Sequence, residues 1–528
     1  MQLEKANKKN KGLKLLKRGR LASLRAIFSR CLIMLLLLAF QVFIIVAAQV
    51  WFEQLLPHYV WINTALTVVM VLYLINCNYD PSAKITWLVV IMVLPVFGTL
   101  FLIYTKSDIG HRDLKRSTDK MLLTTKDILE QDGEVFDDFQ REDAGAAALA
   151  RYLKRSGGFP VYRCNGVKHF PLGEDKFEEL KKQLEQARRF IFLEYFIINE
   201  GAMWGEVLEI LVRKVKEGVD VRVIYDGTCA FTYLTSDYPK RLEKLGIKCK
   251  MFLPIYPIIS TRFNYRDHRK IVVIDGHTAF TGGVNLSDEY INETERFGHW
   301  KDTAVMFKGE AVRSFTLMFL QMWELYSRSP VFDEYVNVGI PEPTECRGFV
   351  IPYSDCPLDA YKTGEIVYID ILNRAKKSVH IMTPYLILDG ELETAMKFAA
   401  ERGVEVTVLL PGIPDKKVPY ALAKTHYKSL LESGINIYEY TPGFVHAKQM
   451  VADGKEAVVG TINLDYRSLY HHFECAVYLY DVDCLDGMEN DFKSCIENSR
   501  RVTFETIKKE KLSVKIMGFI MKTIAPLL

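Results

Sequence analysis

The sequence lacks the cysteine patterns that metal sites and redox centres use. Its ten cysteines are scattered over 528 residues, with no Cys-x-x-Cys pair, no regular spacing and no cluster of cysteine with histidine. Zinc sites and thioredoxin-type centres need such close spacing. We therefore interpret the cysteines as buried or free thiols, and we predict no disulfide framework, no metal site and no cofactor.

The chain also lacks a strong net charge. Its 68 Lys and Arg residues against 65 Asp and Glu residues give a formal net charge of +3. Dedicated nucleic-acid-binding proteins often carry a large positive field, so we expect no nucleic-acid partner. The basic excess is local, because ten Lys or Arg residues fall within residues 1–30.

Three apolar runs follow this basic segment, over residues 31–52, 59–75 and 85–104. About 20 apolar residues can cross a bilayer as a helix. The runs predict an α-helical, multi-pass transmembrane anchor of two or three spans, because Pro95 and Gly98 favour a kinked or re-entrant third segment. Three spans would place the rest of the chain outside and two would place it inside, and the sequence leaves both open.

One pattern occurs twice in the remainder of the chain. Its first copy contains His268, Lys270, Asp275 and Asn285, and its second copy contains His446, Lys448, Asp453 and Asn463. Each matched pair is 178 positions apart, as from His268 to His446. A lone His-x-Lys is common, but matching His, Lys, Asp, two Gly, Asn and Leu at one offset indicates a duplication. The repeat predicts one active site assembled from two related halves.

The residue types suit chemistry on a phosphodiester. Lys270 and Lys448 can neutralise charge that develops on the phosphoryl oxygens. Asn285 and Asn463 can donate neutral hydrogen bonds to the same oxygens. One histidine has to be neutral to attack phosphorus, and the other has to be protonated to give a proton to the leaving alcohol. Histidine suits both tasks because its pKa lies near neutrality.

Four acidic residues accompany the two motifs. Asp275 and Asp453 belong to the catalytic motif, but each precedes a glycine, so we interpret them as turn-forming, orienting groups rather than catalytic acids. Asp302 and Glu474 stand at equivalent places ahead of apolar strands. An acid–base histidine needs an acceptor on its second ring nitrogen, and we expect these two acids to supply it. Ordinary acids at strand edges are the alternative.

The repeat extends upstream of each motif. Residues 187–195 parallel 375–385, and residues 218–225 parallel 403–410. Each half therefore predicts a strand, an amphipathic helix, a strand, a further helix and then a strand carrying His-x-Lys, with both side chains on one face. This alternation predicts an α/β fold with helices on both sides of a sheet. Residues 206–217 have the apolar spacing of a packing helix.

The duplicated His-x-Lys-x4-Asp pattern resembles the signature of the phospholipase D superfamily. Residues 266–270, 282–285, 463–468 and 525–528 are similar to the bacterial cardiolipin synthases within it. The resemblance implies two α/β halves related by a pseudo-twofold axis and a metal-independent, two-step transfer through phosphohistidine. It also implies that His268 is the nucleophile and His446 the general acid, although the symmetry of the motif permits the reverse.

The same resemblance implies the substrate and the setting. We expect a phosphatidyltransferase of the bacterial cell membrane that converts two phosphatidylglycerol molecules into cardiolipin and glycerol. A hydrolytic phospholipase D and a phosphatidylserine synthase-like transferase are alternatives, because the same phosphoenzyme serves all three. The apolar runs disfavour a superfamily nuclease, and two intact motifs disfavour a scaffold without activity. Acceptor preference, acyl-chain preference and oligomeric state stay open.

The predicted organisation is a basic segment over residues 1–30, the anchor over 31–106, a linker over 107–150 and two halves over 151–335 and 336–528. Two apolar features are candidates for contact with the bilayer surface, namely the loop 251–259 and the basic amphipathic segment 505–528, with packed elements as the alternatives. Two departures from the family pattern stand out. Asp267 occupies a place where Asn is expected, and Thr461 replaces the glycine that the first half has at Gly283.

Overall fold

The computed structural model describes residues 56–107, 109–254, 264–339 and 346–527, together with Ala39, Val42, Phe43 and Val46. The chain divides into two compact units. We call the described residues of 23–116, 255–264 and 519–528 the helical unit, and the described residues of 117–254 and 265–518 the catalytic unit.

The helical unit contains helices α1 (Leu56–Asn76), α2 (Pro81–Val93) and α3 (Pro95–Ser107). Asp80 caps α2, because its side chain accepts hydrogen bonds from the amides of Ser82 and Ala83. The third apolar run is broken at Leu94, since a proline cannot continue the preceding helix. The interruption lies where Pro95 favours a kinked or re-entrant segment, and it does not distinguish between the two.

The transmembrane anchor is not confirmed. Over the described residues, no helix combines the length and the apolar character needed to cross a membrane. The first predicted run, 31–52, lies outside the described residues except for Ala39, Val42, Phe43 and Val46. Residues 255–259 of the predicted surface loop lie outside them as well.

The first half of the catalytic unit is built on a seven-stranded sheet. Its strands are β2 (Val167–Phe170), β3 (Phe190–Tyr195), β4 (Asp220–Asp226), β5 (Lys248–Phe252), β7 (Lys270–Ile274), β8 (Thr278–Gly282) and β10 (Ala304–Lys308). They lie in the order β2-β10-β8-β7-β3-β4-β5 across the sheet. Every residue of β3, β7 and β8 is buried, as central strands covered on both faces require.

The second half repeats this arrangement. Its strands are β1 (Tyr162–Arg163), β11 (Phe349–Asp355), β12 (Ser378–Met382), β13 (Glu405–Pro411), β14 (Asn436–Tyr440), β16 (Gln449–Ala452), β17 (Glu456–Gly460), β18 (His472–Tyr480) and β19 (Ser499–Arg501). The order β11-β18-β17-β16-β12-β13-β14 matches that of the first half strand for strand, and β1 and β19 are added at the two edges. The prediction of two related α/β halves is confirmed.

Helices connect and cover the strands, and the segment 107–150 that was predicted as a linker is helical over most of its length. The helices are α4 (Ile109–Thr125), α5 (Gly133–Glu142), α6 (Ala144–Gly157), α7 (Gly173–Gln186), α8 (Ala202–Lys216), α9 (Cys229–Thr232), α10 (Tyr238–Glu243), α11 (Val312–Trp323), α12 (Asp333–Val336), α13 (Thr363–Arg374), α14 (Gly390–Glu401), α15 (Lys417–Glu432), α16 (Tyr466–Tyr470), α17 (Leu485–Glu497), α18 (Phe504–Lys509) and α19 (Leu512–Ile524). The predicted packing helix is α8, which buries Val207, Leu208 and Leu211.

Two short pairings join the halves beside the motifs. Strand β6 (Arg266–Asp267) pairs in parallel with β18, and β9 (His299–Lys301) pairs in parallel with β15 (Gly443–Val445). In each case a short strand of one half lies against a strand of the other half. These pairings place residues of the two halves within reach of one another at the motif histidines.

A disulfide links Cys164 to Cys346, which are 182 residues apart in sequence. The expectation that the cysteines form no disulfide is therefore wrong for this pair. The antiparallel pairing of β1 with β11 brings the two cysteines together, and the Cys164 amide donates to the Gly348 carbonyl at 2.9 Å. The other cysteines of the described residues are free: Cys77, Cys229, Cys249, Cys356, Cys475, Cys484 and Cys495.

Candidate active site

The two motif histidines lie at breaks between strands. His268 follows β6 and precedes β7, and His446 follows β15 and precedes β16. The prediction of one continuous strand carrying His-x-Lys is thus wrong at the histidine. The physical reason is that each histidine amide bonds to the other half, since His268 donates to the Phe473 carbonyl at 3.0 Å and His446 donates to the Lys301 carbonyl at 2.7 Å.

Each histidine is held by an acid from the opposite half. The His268 Nδ1 lies 2.9 Å from both carboxylate oxygens of Glu474, and the His446 Nδ1 lies 2.7 Å from Oδ2 of Asp302. Both acids are fully buried. Because Nδ1 is engaged in each ring, Nε2 is the nitrogen left to meet a substrate. Each half therefore supplies the acid for the histidine of the other half, and neither half contains a complete histidine–acid pair.

The two motif lysines are buried close to the histidines. The Lys270 Nζ donates to the His268 carbonyl at 2.6 Å, and the Lys448 Nζ donates to the His446 carbonyl and lies 3.0 Å from the His446 Nδ1. Burial lowers the pKa of Lys270 to about 8 and that of Lys448 to about 7. A lysine that carries its charge in such an enclosed site attracts an anion strongly.

Burial also shifts the pKa values of the two motif histidines and of one of the acids. The pKa of His268 and that of His446 lie well below the usual value because both rings are enclosed, and the nearby lysine charges act in the same direction. Burial raises the pKa of Asp302 to about 7, although Lys448 acts against this rise. The proton of the Asp302–His446 pair is therefore held or released close to neutral pH.

The two motif asparagines are placed differently. The Asn285 Oδ1 accepts from the Ile197 amide at 3.0 Å, and its Nδ2 donates to the Tyr290 hydroxyl at 2.8 Å. The Asn463 Oδ1 has no hydrogen-bond partner among the described residues. Both side chains are buried. The asparagine of the second half is thus less constrained by the protein than that of the first.

The motif aspartates bind backbone amides away from the histidine rings. Asp275 accepts from the amides of Arg188, Arg189 and Phe190 at 2.7–2.9 Å. Asp453 makes the equivalent contacts with the amides of residues 376–378 at 2.7–3.0 Å. Both aspartates adopt a φ of 54°, the left-handed conformation of a turn. These contacts fit the turn-forming interpretation.

Thr461 gives the two halves different surroundings at the acids. A Cβ placed on Gly283 would lie 2.0 Å from Oδ1 of Asp302, so only glycine leaves room for that acid. At the equivalent place, the Thr461 hydroxyl donates to Oε2 of Glu474. Glu474 is therefore held by the Thr461 hydroxyl, whereas Asp302 occupies the space that is left because Gly283 has no side chain.

Four rings around the histidines were missed by the sequence analysis. Phe196 lies 4.9 Å and His472 lies 5.3 Å from the His268 ring, measured between centroids. Tyr290 lies 5.3 Å and Trp300 lies 5.4 Å from the His446 ring. Trp300 and His472 each stand two residues before one of the predicted acids, Asp302 and Glu474. This equivalent spacing could have identified these two rings from the sequence.

The charged residues beside His268 are buried. Arg266 and Arg269 are 4 % and 3 % exposed. The Arg269 Nε lies 2.6 Å from Oε1 of Glu194 and 3.4 Å from Oδ1 of Asp267. Asp267 is fully buried, and burial raises its pKa. The neighbouring Arg269 guanidinium acts against this rise in the pKa of Asp267.

Two groups in the described part of the chain bring three potential metal-binding atoms within 4.8 Å of one another. One is His268, His472 and Glu474, where the carboxylate already accepts from a ring nitrogen. The other is Glu365, Asp389 and Glu391, where Asp389 caps α14 through the Leu392 amide at 2.9 Å. Glu474 and Asp389 thus each have a hydrogen-bond partner within the protein.

The chain is similar to known proteins over most of its length. The family model described as cardiolipin synthase, phospholipase D-like domain matches residues 180–323 and 368–496, and one described as phospholipase D-nuclease N-terminal matches residues 65–103. The chain is 58 % identical to an uncharacterized protein of Streptococcus mutans, over 87 % of this chain and 99 % of the relative.

The chain is also 33 % identical to cardiolipin synthase 2 of Bacillus anthracis, over 86 % of this chain and 90 % of that relative. Among solved structures, the phosphatidylserine synthase of Haemophilus influenzae matches with a TM-score of 0.56 at 15 % identity, over 73 % of this chain and 98 % of that chain. This last similarity concerns the fold alone.

Proposed function

The chain belongs to the cardiolipin synthase family of the phospholipase D superfamily, and from that premise we propose how its residues carry out phosphatidyl transfer. The protein is a phosphatidyltransferase that uses phosphatidylglycerol both as donor and as acceptor. The products are cardiolipin and glycerol. The observation that carries the mechanism is the exchange of acids between the halves, with Glu474 on His268 and Asp302 on His446.

In the first step, the His268 Nε2 attacks the phosphorus of one phosphatidylglycerol. The bond from phosphorus to the headgroup glycerol oxygen breaks, and His446 gives that oxygen a proton, so that glycerol leaves and a phosphatidyl-histidine forms. Lys270 and Lys448 neutralise the charge that increases on the phosphoryl oxygens. Asn463 can donate its amide hydrogens to the same oxygens.

In the second step, a terminal hydroxyl of another phosphatidylglycerol attacks the phosphatidyl-histidine. His446, now neutral, takes the proton of that hydroxyl, and the bond between phosphorus and the His268 Nε2 breaks. Cardiolipin leaves and both histidines return to their first state. One residue serves as acid and then as base because the second step reverses the first with a different alcohol.

The surroundings of the two acids support this division of labour. Both oxygens of Glu474 face the His268 Nδ1, and Thr461 donates a further hydrogen bond to that carboxylate. An ionised acceptor on Nδ1 makes Nε2 a better nucleophile. On the other side, the pKa of Asp302 near 7 keeps a proton available to the Asp302–His446 pair at neutral pH.

We further propose that the protein is attached to a membrane. Support comes from apolar side chains that are exposed on the helical unit, among them Trp61 at 73 %, Met92 at 66 % and Val93 at 70 %. Helix α19 exposes Leu512 at 71 % and Phe519 at 79 % beside Lys515 and Lys522. Apolar surface next to lysines fits an interfacial helix on anionic lipid.

The function is tested by giving the detergent-solubilised enzyme labelled phosphatidylglycerol as its sole lipid and identifying the products by mass spectrometry. Cardiolipin together with free glycerol is expected. Phosphatidic acid with glycerol, and no cardiolipin, would show that water is the acceptor and would refute the synthase. The His268→Ala variant is the control and is expected to form neither product.

A further inference from the structure

His472 is a third histidine in the active site that the mechanism above does not use. Its ring centroid lies 5.3 Å from that of His268 and 6.5 Å from that of Phe196. It is 8 % exposed, against 6 % for His268 and 8 % for His446. His472 is therefore as enclosed as the two motif histidines, and it borders the ring that attacks phosphorus.

Within the described part of the chain, neither ring nitrogen of His472 has a hydrogen-bond partner. Its Nδ1 lies 3.5 Å from Oε1 of Glu474, an oxygen that already accepts from the His268 Nδ1. Buried polar groups are almost always hydrogen-bonded, and an exception requires an explanation. A substrate that supplies the missing partner is such an explanation at this place.

The repeat shows that His472 departs from the symmetry of the site. His472 pairs in register with Arg266, two residues before the motif histidine, and Trp300 pairs in the same way with Phe444. Trp300 lies 5.4 Å from the His446 ring, so the two residues occupy equivalent places. The His446 side thus has an indole, and the His268 side has an imidazole that can donate or accept.

We propose that His472 contacts the substrate and donates a hydrogen bond from a ring nitrogen to a non-bridging phosphoryl oxygen of the phosphatidylglycerol that His268 attacks. This role rests on the proposed function, because it presupposes a phosphoryl group on His268. The charge on these oxygens is greatest during the transfer, so the hydrogen bond stabilises the transition state more than the bound substrate.

The test compares two substitutions in the full-length enzyme. His472→Phe keeps a ring and removes the donor, and His472→Gln keeps an amide donor. The rate of glycerol release from phosphatidylglycerol reports the first step directly. We expect kcat/KM to fall by about 10- to 100-fold in His472→Phe, the usual effect of losing a hydrogen bond to a charged group, and by less in His472→Gln.

The matched control is His471→Gln, at the adjacent histidine whose ring lies 6.2 Å from Tyr265. We expect this control to stay close to the wild type. A His472→Phe variant as active as the control would overturn the proposal. If His472→Phe does not fold, His472→Gln decides, because a rate equal to that of an alanine variant at 472 would mean that the donor has no effect.

The pH dependence of kcat/KM separates contact with substrate from an indirect role through Glu474. A substrate contact lowers the rate at all pH values and leaves the shape of the profile unchanged. A shift of the acid limb in His472→Phe would mean that the residue acts on the titration of His268, and the proposal would fall. Wild-type enzyme that releases glycerol without forming cardiolipin would refute the synthase alone, since glycerol release still reports on His472.

Discussion

Buried charge is the property that makes the individual residues of this site reactive. The motif lysines are 2 % and 1 % exposed at Lys270 and Lys448, and the acids Asp302 and Glu474 are fully buried. In such surroundings a charge interacts strongly with a bound phosphodiester, and each group titrates far from its usual range. We therefore expect the protonation states of these residues to set the pH range in which the enzyme works.

The lysines give a prediction for the alkaline side of the pH profile. Burial lowers their pKa to about 8 at Lys270 and about 7 at Lys448. A lysine carries its charge below its pKa and loses it above, so the free enzyme loses both cations as the pH rises through this range. We expect kcat/KM to fall above about pH 7, where Lys448 begins to lose its charge. Lysines with the ordinary pKa would place this limb near 10.4.

The acid limb is expected to lie well below 6.5, because burial lowers the pKa of His268, which has to be neutral to attack phosphorus. Both limbs are read from kcat/KM for glycerol release, since this quantity reports on the free enzyme. A rate that stays constant through about pH 10 would contradict charged lysines with lowered pKa values.

At the scale of the elements, the motif aspartates fix the turns that follow the motif strands. Asp275 joins the turn after β7 to the start of β3, and Asp453 joins the turn after β16 to the start of β12. Each carboxylate accepts hydrogen bonds from three backbone amides. The sheet geometry next to each histidine therefore depends on a carboxylate.

We expect Asp453→Asn to lower the free energy of unfolding by about 1–3 kcal/mol, because an amide group cannot accept all three hydrogen bonds of the carboxylate. Thermal unfolding of the purified variant measures the loss. Asp483→Asn is the matched control, since that acid is 68 % exposed and loses no buried hydrogen bond. An Asp453→Asn variant with wild-type stability and no turnover would instead show a catalytic acid.

Several elements could be predicted from the sequence because their signals are local. The repeat predicted the order of strands and helices along both halves, and the apolar spacing of residues 206–217 predicted helix α8. The break at the histidines could not be predicted, because it depends on pairing with strands of the other half. The same holds for the disulfide between Cys164 and Cys346, whose partners are brought together by the pairing of β1 with β11.

The site residues divide in the same way. The motif offset pointed to the histidines, lysines and asparagines, and the need for a ring-nitrogen acceptor pointed to Asp302 and Glu474. The exchange of these acids between the halves required the register of β18 on β6 and of β15 on β9. His472 and Trp300 were missed because neither belongs to the repeated motif.

At the scale of the whole molecule, the catalytic unit functions as one site because each half completes the other. The first half supplies His268 and Asp302, and the second half supplies His446 and Glu474. The two histidine–acid pairs then differ in the length of the acid and in the presence of Thr461. We propose that this difference makes His268 the nucleophile and His446 the general acid.

The most direct test of this assignment is to trap the phosphatidyl-enzyme. A phosphatidyl ester of p-nitrophenol is given to His446→Ala, because that leaving group departs without a proton while the second step still needs a base. Mass spectrometry of the digested enzyme is expected to find the phosphatidyl group on His268 and to find none in His268→Ala. A phosphatidyl group on His446 in the His268→Ala variant, or none in either variant, would contradict the mechanism.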